Sequence, residues 1–288
     1  MNVVSTLKRL WRPSDLVRFN EPTLTHPVSQ ACTQAQTAEP AYVYWCTRLR
    51  EQPKYHRKQW EFCFILQALA RQGVLAPGLR GLGFGVGEEP LPAVLAAHGV
   101  SVVATDLETA KAHEKGWVAT DQHAHGQEML NARGICSPEA FDRLVSFRHT
   151  DMNAIDPDLR DFDFCWSSCA LEHLGSIAQG LRFIENSLAC LKPGGIAVHT
   201  TEFNCGAGED TLDNDSTVLF RRSDFMALAR SLAEQGHALA FNFDLGDRPL
   251  DRHVDVPPYA QDNHLKLALA EFVTTSFGII VRKAGDGR

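Results

Sequence analysis

Gly81, Gly83, Gly85 and Gly87 stand at alternate positions in GLGFGVG, between a run that reads as the end of a strand and a run that reads as a helix. Glycines at such a turn let the backbone take positive φ and approach a ligand closely. Beyond this ladder the chain alternates. Residues 89–98 read as a helix stopped by Gly99, and SVVATD (101–106), LVSFRHTD (144–151) and FDFCWSS (162–168) as strands. A helix follows with Ile177, Leu181, Ile184 and Leu188 on one face, then a strand GIAVHTT (195–201) and a helix carrying Phe225, Leu228, Ala229 and Leu232. HALAFNF (237–243) and EFVTTSFGIIVRK (271–283) complete the sheet. Strands alternating with amphipathic helices predict an α/β fold, a doubly wound, mostly parallel sheet covered on both faces. The last two strands are too far apart for a tight hairpin and have no clear helix between them, which predicts an antiparallel last strand.

The remainder of the chain bounds this sheet. Residues 1–58 contain Pro13, Pro22, Pro27, Pro40 and Pro53 and read as a partly irregular N-terminal extension. The domain proper is read over 59–288, opening with a helix whose Phe62, Ile65, Leu66 and Leu69 share a face and which Gly73 closes. The first residues form a short basic amphipathic stretch, with Val3, Leu7, Leu10 and Trp11 opposite Lys8, Arg9 and Arg12, expected to pack on its own domain. A chain of 288 residues, 44% apolar, supplies one sizeable core. Its formal charge of −7 argues against a nucleic-acid partner, which would call for a basic stripe. No run is long enough to span a membrane and no signal peptide is apparent, so a cytoplasmic protein is expected. Eight cysteines without a CxxC pair read as free thiols of a reducing compartment, with no zinc site.

The glycine spacing selects among nucleotide ligands. The dinucleotide fingerprint GxGxxG fails from either starting point, because its last glycine falls on Val86 or Glu88. The spacing that fits is GxGxG over Gly83, Gly85 and Gly87, suited to a ligand with a carboxylate and a nucleoside but no pyrophosphate. Phe84, within the loop, is counted with it. Asp106 ends the second strand, where it either accepts ribose hydroxyls or caps a helix, with Leu107 beside it. Asp151 and Met152 end the third strand, where an acid and a flat apolar side chain hold an adenine or form an ordinary turn.

These segments, taken in order with FDFCWSSCALEHLGS and LACLKPGGIAVHT, resemble the motif set of class I S-adenosylmethionine (SAM)-dependent methyltransferases. Leu171–Leu174 (LEHL) and Leu191–Gly195 (LKPGG) are the most specific parts, and the resemblance covers about residues 79–202. It implies a Rossmann-like sheet of seven strands with SAM across the carboxyl ends of the first four. It assigns Gly83, Gly85 and Gly87 to the methionine and ribose side, Asp106 to the ribose hydroxyls and Asp151–Met152 to adenine. Ser167 and Ser168 line the path to the sulfonium. The family usually carries an acid two positions before the first of these glycines; Gly81 stands there instead. The methionine amino group then needs another acceptor, with Glu88 or a residue of the extension as candidates.

For the acceptor, the expectation is a small molecule or saccharide methylated at a hydroxyl oxygen, by analogy alone. His199 is the first candidate for a base, with Glu202 to orient it and His173 of the LEHL turn as an alternative. Asp251, His253, Asp255, Tyr42, Tyr44, Trp45, His56 and Arg57 are further candidates for the acceptor side. Glu209, Asp210, Asp213 and Asp215 lack the spacing of a calcium loop and read as a solvated acidic lid, so no metal is expected. Two other readings remain open: a SAM-binding scaffold without catalysis, and a nicotinamide-dependent dehydrogenase.

Overall fold

A computed structural model describes residues 16–107, 127–213 and 216–285. Most of the basic N-terminal stretch, and Asp215, lie outside them. The described elements are, in order, β1 (Val17–Arg18), β2 (Ser29–Ala31), α1 (Gln34–Thr37), α2 (Pro40–Arg48), α3 (Arg57–Arg71), β3 (Arg80–Phe84), α4 (Leu91–Ala97) and β4 (Ser101–Asp106). They continue with α5 (Pro138–Leu144), β5 (Val145–His149), β6 (Phe162–Ser168), α6 (Ile177–Ser187), β7 (Leu191–Asn204) and α7 (Arg222–Glu234). The chain closes with β8 (Phe241–Asn242), α8 (Pro249–Arg252), β9 (Lys266–Leu269) and β10 (Phe272–Arg282).

The sheet runs β1-β8-β2-β10-β7-β6-β3-β4-β5, with β9 paired to β10. Its centre, β7-β6-β3-β4-β5, is parallel, and β10 is antiparallel to β7 as expected. The strand number differs from the seven expected: ten strands are present among the described residues. The N-terminal extension supplies two of them, and β2 pairs with β10 through Ala31 and Phe277. β2 lies beside β10, and of the predicted strand 237–243 only Phe241–Asn242 is a strand, parallel to β2. β9 is the tenth, a short antiparallel partner of β10.

Helix α3 explains how the extension is anchored. Its N-cap is His56, whose Nδ1 accepts the Lys58 backbone N–H at 3.1 Å. Trp60 and Phe64 stack on one another with ring centroids 4.9 Å apart, and both are fully buried. Phe64 lies flat on β10 because residue 278 is glycine; a side chain there would overlap the ring. Burying each such aromatic contributes about 1.5–3 kcal/mol. Gly73, at φ 73°, ends the helix as predicted.

Side chains alternate across the sheet. Phe164 and Trp166 of β6 and Val198 of β7 join the core under α3 and α4, whereas Cys165 and Ala197 join the core under α6 and α7. This alternation decides which residues reach the site.

Candidate active site

A cavity of about 580 Å³ opens at the carboxyl ends of β3, β4, β6 and β7. One wall is the glycine ladder. Gly85 and Gly87 have φ of 57° and 48°, and a Cβ on Gly85 would lie 2.8 Å from Ala170 Cβ and 3.2 Å from Met152 Sδ. Only glycine fits that turn, and the cradle stays open to a ligand. Asp106 is buried at the end of β4 and lines the same cavity. Its Oδ2 accepts the Gly87 N–H at 3.1 Å and its Oδ1 the Leu107 N–H at 2.8 Å. These two bonds orient the carboxyl group. Leu107, Asp151, Met152 and Ser168 complete the wall. Glycines at the turn, an anchored acid on the next strand and an apolar residue beyond the third are a set that fits a nucleoside bearing an amino-acid tail.

Three predicted cofactor residues lie elsewhere. Gly83 does not line the cavity; the Trp166 indole covers it, and a Cβ would overlap the ring. Phe84 is fully buried in the opposite core, edge-on to Phe183 at 5.2 Å. Ser167 is likewise fully buried and bonds His199. Phe84 and Ser167, paired across β3 and β6, are turned away from the site by the pleat, whereas Gly83 is covered by the indole.

His199 shares this fate and is not placed to act as the base. It is fully buried on the α6 side, with Nδ1 2.9 Å from Ser167 Oγ and Nε2 3.3 Å from Ser187 Oγ. Burial holds its pKa down to about 3, a neutral ring. β7 continues five residues beyond it to Asn204, so His199 lies inside the strand rather than at its end.

Glu202 and His173 do reach the cavity. Glu202 forms an ion pair with Arg57 and accepts from Thr274 Oγ1 at 2.8 Å. His173 Nδ1 lies 2.7 Å from the Ser216 carbonyl and 3.3 Å from Thr217 Oγ1. A carbonyl can only accept, so Nδ1 carries the proton and the ring's lone pair is on Nε2.

The extension contributes His56, Arg57 and Lys58 to the opposite wall. Beneath them Glu61, fully buried, accepts from Lys58 Nζ at 3.1 Å, Ser168 Oγ at 3.1 Å and Ser276 Oγ at 2.5 Å. Burial alone would raise its pKa, but Lys58 and Arg57 outweigh that and hold it below the usual range. Burial, with His264 and Arg57 adding to it, lowers His56 to about 4. Glu172, inside the LEHL turn, is buried and accepts from Thr201 Oγ1 at 3.0 Å; burial first, with Glu202 adding to it, raises its pKa.

Other candidates serve the scaffold. Tyr42 is buried and its hydroxyl donates to the Lys54 carbonyl, Trp45 donates to Gln67, and Tyr44 lies on the surface. Asp251 accepts the Gln34 and Arg248 backbone N–H groups. Asp255 pairs with His264 at 2.5 Å, and His253 is exposed. Of the acidic run, Asp213 accepts the Ile177 N–H at the start of α6 and Glu209 bonds Ser223. All eight cysteines are unbridged. Cys169, Glu172 and Glu202 bring their ligand atoms within 4.8 Å of one another, but Arg57 already serves Glu202 as its cation. Among the described residues, no helix is long and apolar enough to cross a membrane.

The cavity also holds residues with little advance signal: Glu89, Arg133, Thr150, Cys169 and Tyr259. Glu61, a lone acid in the apolar run WEFCFIL, and Glu89, following the glycines, are the two that the sequence could have flagged.

Residues 82–199 match the family described as a methyltransferase domain. No curated protein matches the chain. Among solved structures it is similar to a protein assigned as a sarcosine dimethylglycine methyltransferase from Galdieria sulphuraria, at 16% identity over 80% of this chain and 85% of that one, TM-score 0.49. It is similar also to a SAM-dependent methyltransferase from Mesorhizobium loti, at 16% identity over 75% and 96% of the two chains, TM-score 0.43. A third is a phosphoethanolamine N-methyltransferase 2 from Haemonchus contortus in complex with SAM, at 20% identity over 66% and 40%, TM-score 0.40. The matched segment spans β3 to β7 and carries the glycine cradle, Asp106 and the LEHL and LKPGG motifs. Over residues 82–199 the chain is therefore similar to the methyltransferase domain family.

Proposed function

We propose that the enzyme methylates a hydroxyl oxygen of a small polar acceptor, a saccharide or similar polyhydroxyl molecule, bound at the end of the cavity away from the glycine ladder. The observation that carries this reading is the continuity of the cavity. Gly85, Gly87 and Asp106 share it with His173, Glu172 and Glu202, and the extension roofs it with His56, Arg57 and Lys58. SAM supplies a methyl group on a positively charged sulfur; the protein's part is to align the nucleophile, exclude water and receive a proton.

On this reading His173 takes the hydroxyl proton. The Ser216 carbonyl holds Nδ1–H, which supports Nε2 as the accepting atom. Glu202, itself held by Arg57 and Thr274, accepts hydrogen bonds from neighbouring acceptor hydroxyls. A formal charge of −7 and a cavity mouth with several acids favour a neutral acceptor over nucleic acid. The unbridged cysteines fit a cytoplasmic setting.

The test is SAM turnover with a panel of polyhydroxyl acceptors set against amines and RNA. Formation of S-adenosylhomocysteine with a polyhydroxyl acceptor, lost in His173→Ala, supports the proposal. Turnover with amines or RNA alone contradicts it.

A further inference from the structure

The methionine end of SAM carries an ammonium that a buried site must neutralise. The position two residues before the first glycine of the motif, Gly81, offers nothing, and the structure gives the reason. Gly81 and Phe164 are paired neighbours on β3 and β6, and a Cβ at residue 81 would lie 2.5 Å from the tip of the Phe164 ring. No acid fits there without moving the ring. Glu88, the candidate from the sequence, also lines the cavity but is exposed to solvent.

Its neighbour differs. Glu89 is 8% exposed, lines the cavity beside Gly85 and Gly87, and accepts the Trp166 Nε1–H at 2.6 Å through Oε1. Among the described residues no lysine or arginine lies within ion-pair distance of it. The other buried cavity acids are differently engaged: Asp106 by two backbone N–H groups, Glu202 by Arg57, Glu172 by Thr201.

We propose that Glu89 binds the ammonium of SAM's methionine moiety, an acid relocated from before the glycine ladder to just after it. This rests on SAM as the cofactor. Gly83 permits the arrangement, because only a glycine lets the Trp166 indole cross β3 and hold the Glu89 carboxyl in place. Burial pushes the Glu89 pKa up to about 8, against the pull of Trp166 and Lys58, so near neutral pH the empty site holds a protonated carboxyl. An arriving ammonium favours the carboxylate, and Glu89 gives its proton to solvent.

The experiment is calorimetry with S-adenosylhomocysteine and with 5′-methylthioadenosine, which keeps the nucleoside and thioether but lacks the amino-acid part. Glu89→Gln preserves size and can still accept from Trp166. The variant should bind S-adenosylhomocysteine at least tenfold more weakly and methylthioadenosine as the wild type does. In wild type, titrations near neutral pH in buffers of different ionisation enthalpy should show proton release with S-adenosylhomocysteine that the variant lacks. Equal weakening of both ligands, or no weakening of either, overturns the assignment. Failure of both ligands to bind wild type would instead remove the cofactor reading on which it stands.

Discussion

Trp166 donates its indole N–H to Glu89 at 2.6 Å, joining the middle of β6 to the turn that closes the glycine ladder. The contact crosses β3 at Gly83, next to the Gly81 and Phe164 pair. Gly83, which the sequence reading gives to the ligand, is thus covered by aromatic packing. Gly85 and Gly87 line the cavity.

That packing predicts what happens when the common family acid is restored. Gly81→Asp places a carboxylate against Phe164 in a buried core. Overpacking costs about 1–3 kcal/mol, and the desolvated charge adds to it. Thermal unfolding should show a clear drop in Tm, partly recovered in Gly81→Asp/Phe164→Ala. An unchanged Tm in the single variant would mean that β3 and β6 are not packed in this way.

His199 predicts a pH dependence of stability. Its folded pKa, about 3, is below the ordinary value of 6.5 because burial disfavours the charged ring. The unfolded chain therefore binds the additional proton between those values, and stability is full above 6.5 and falls as pH drops toward 3. The slope contributed is up to about 1.4 kcal/mol per pH unit. His56 shifts in the same direction, so the test is a difference. Denaturant unfolding of His199→Gln should give a flatter acid limb than wild type, with S-adenosylhomocysteine affinity nearly unchanged. Parallel acid limbs would show that His199 does not carry this penalty.

Arg57 and Glu202 form the ion pair that ties the extension to β7. Removing Arg57 leaves the buried Glu202 carboxylate without its cation, at a cost of about 3–5 kcal/mol, whereas Arg57 without Glu202 still faces Glu61 at 3.6 Å. Arg57→Met should destabilise more than Glu202→Leu, and chemical denaturation of these variants and of Arg57→Met/Glu202→Leu measures the coupling. Additive effects would deny the pair a structural role.

How much of this could be read in advance depends on what local pattern encodes. Helix α3, the parallel centre of the sheet and the antiparallel β10 follow from periodicities of 3.6 and 2, which lie in the chain itself. The strand number does not. Ser29–Ala31 is a three-residue strand in a proline-rich region, and its pairing with β10 depends on Phe277 and Ala31 meeting across 246 residues. Asp106, Asp151 and Met152 line the cavity because strand ends converge there. The sequence pattern puts the strand end after Thr201, whereas the true end at Asn204 leaves His199 within the pleat, facing α6. Glu89 was masked by its neighbour: two adjacent acids look alike until the Trp166 contact picks one of them.

The central claim is that the cavity at Gly85, Gly87 and Asp106 is a SAM site. Asp106 is held by the Gly87 and Leu107 N–H groups, and on this account its substitution removes ribose contacts without emptying the core. Charge-assisted hydrogen bonds are worth about 1.5–3 kcal/mol each. The deciding measurement is a calorimetric titration of wild type and Asp106→Ala with S-adenosylhomocysteine, with NAD as competitor. The account predicts saturable binding by wild type that NAD does not displace, weakened at least tenfold in a variant that remains folded. Displacement by NAD, or an unchanged Kd in folded Asp106→Ala, would contradict it.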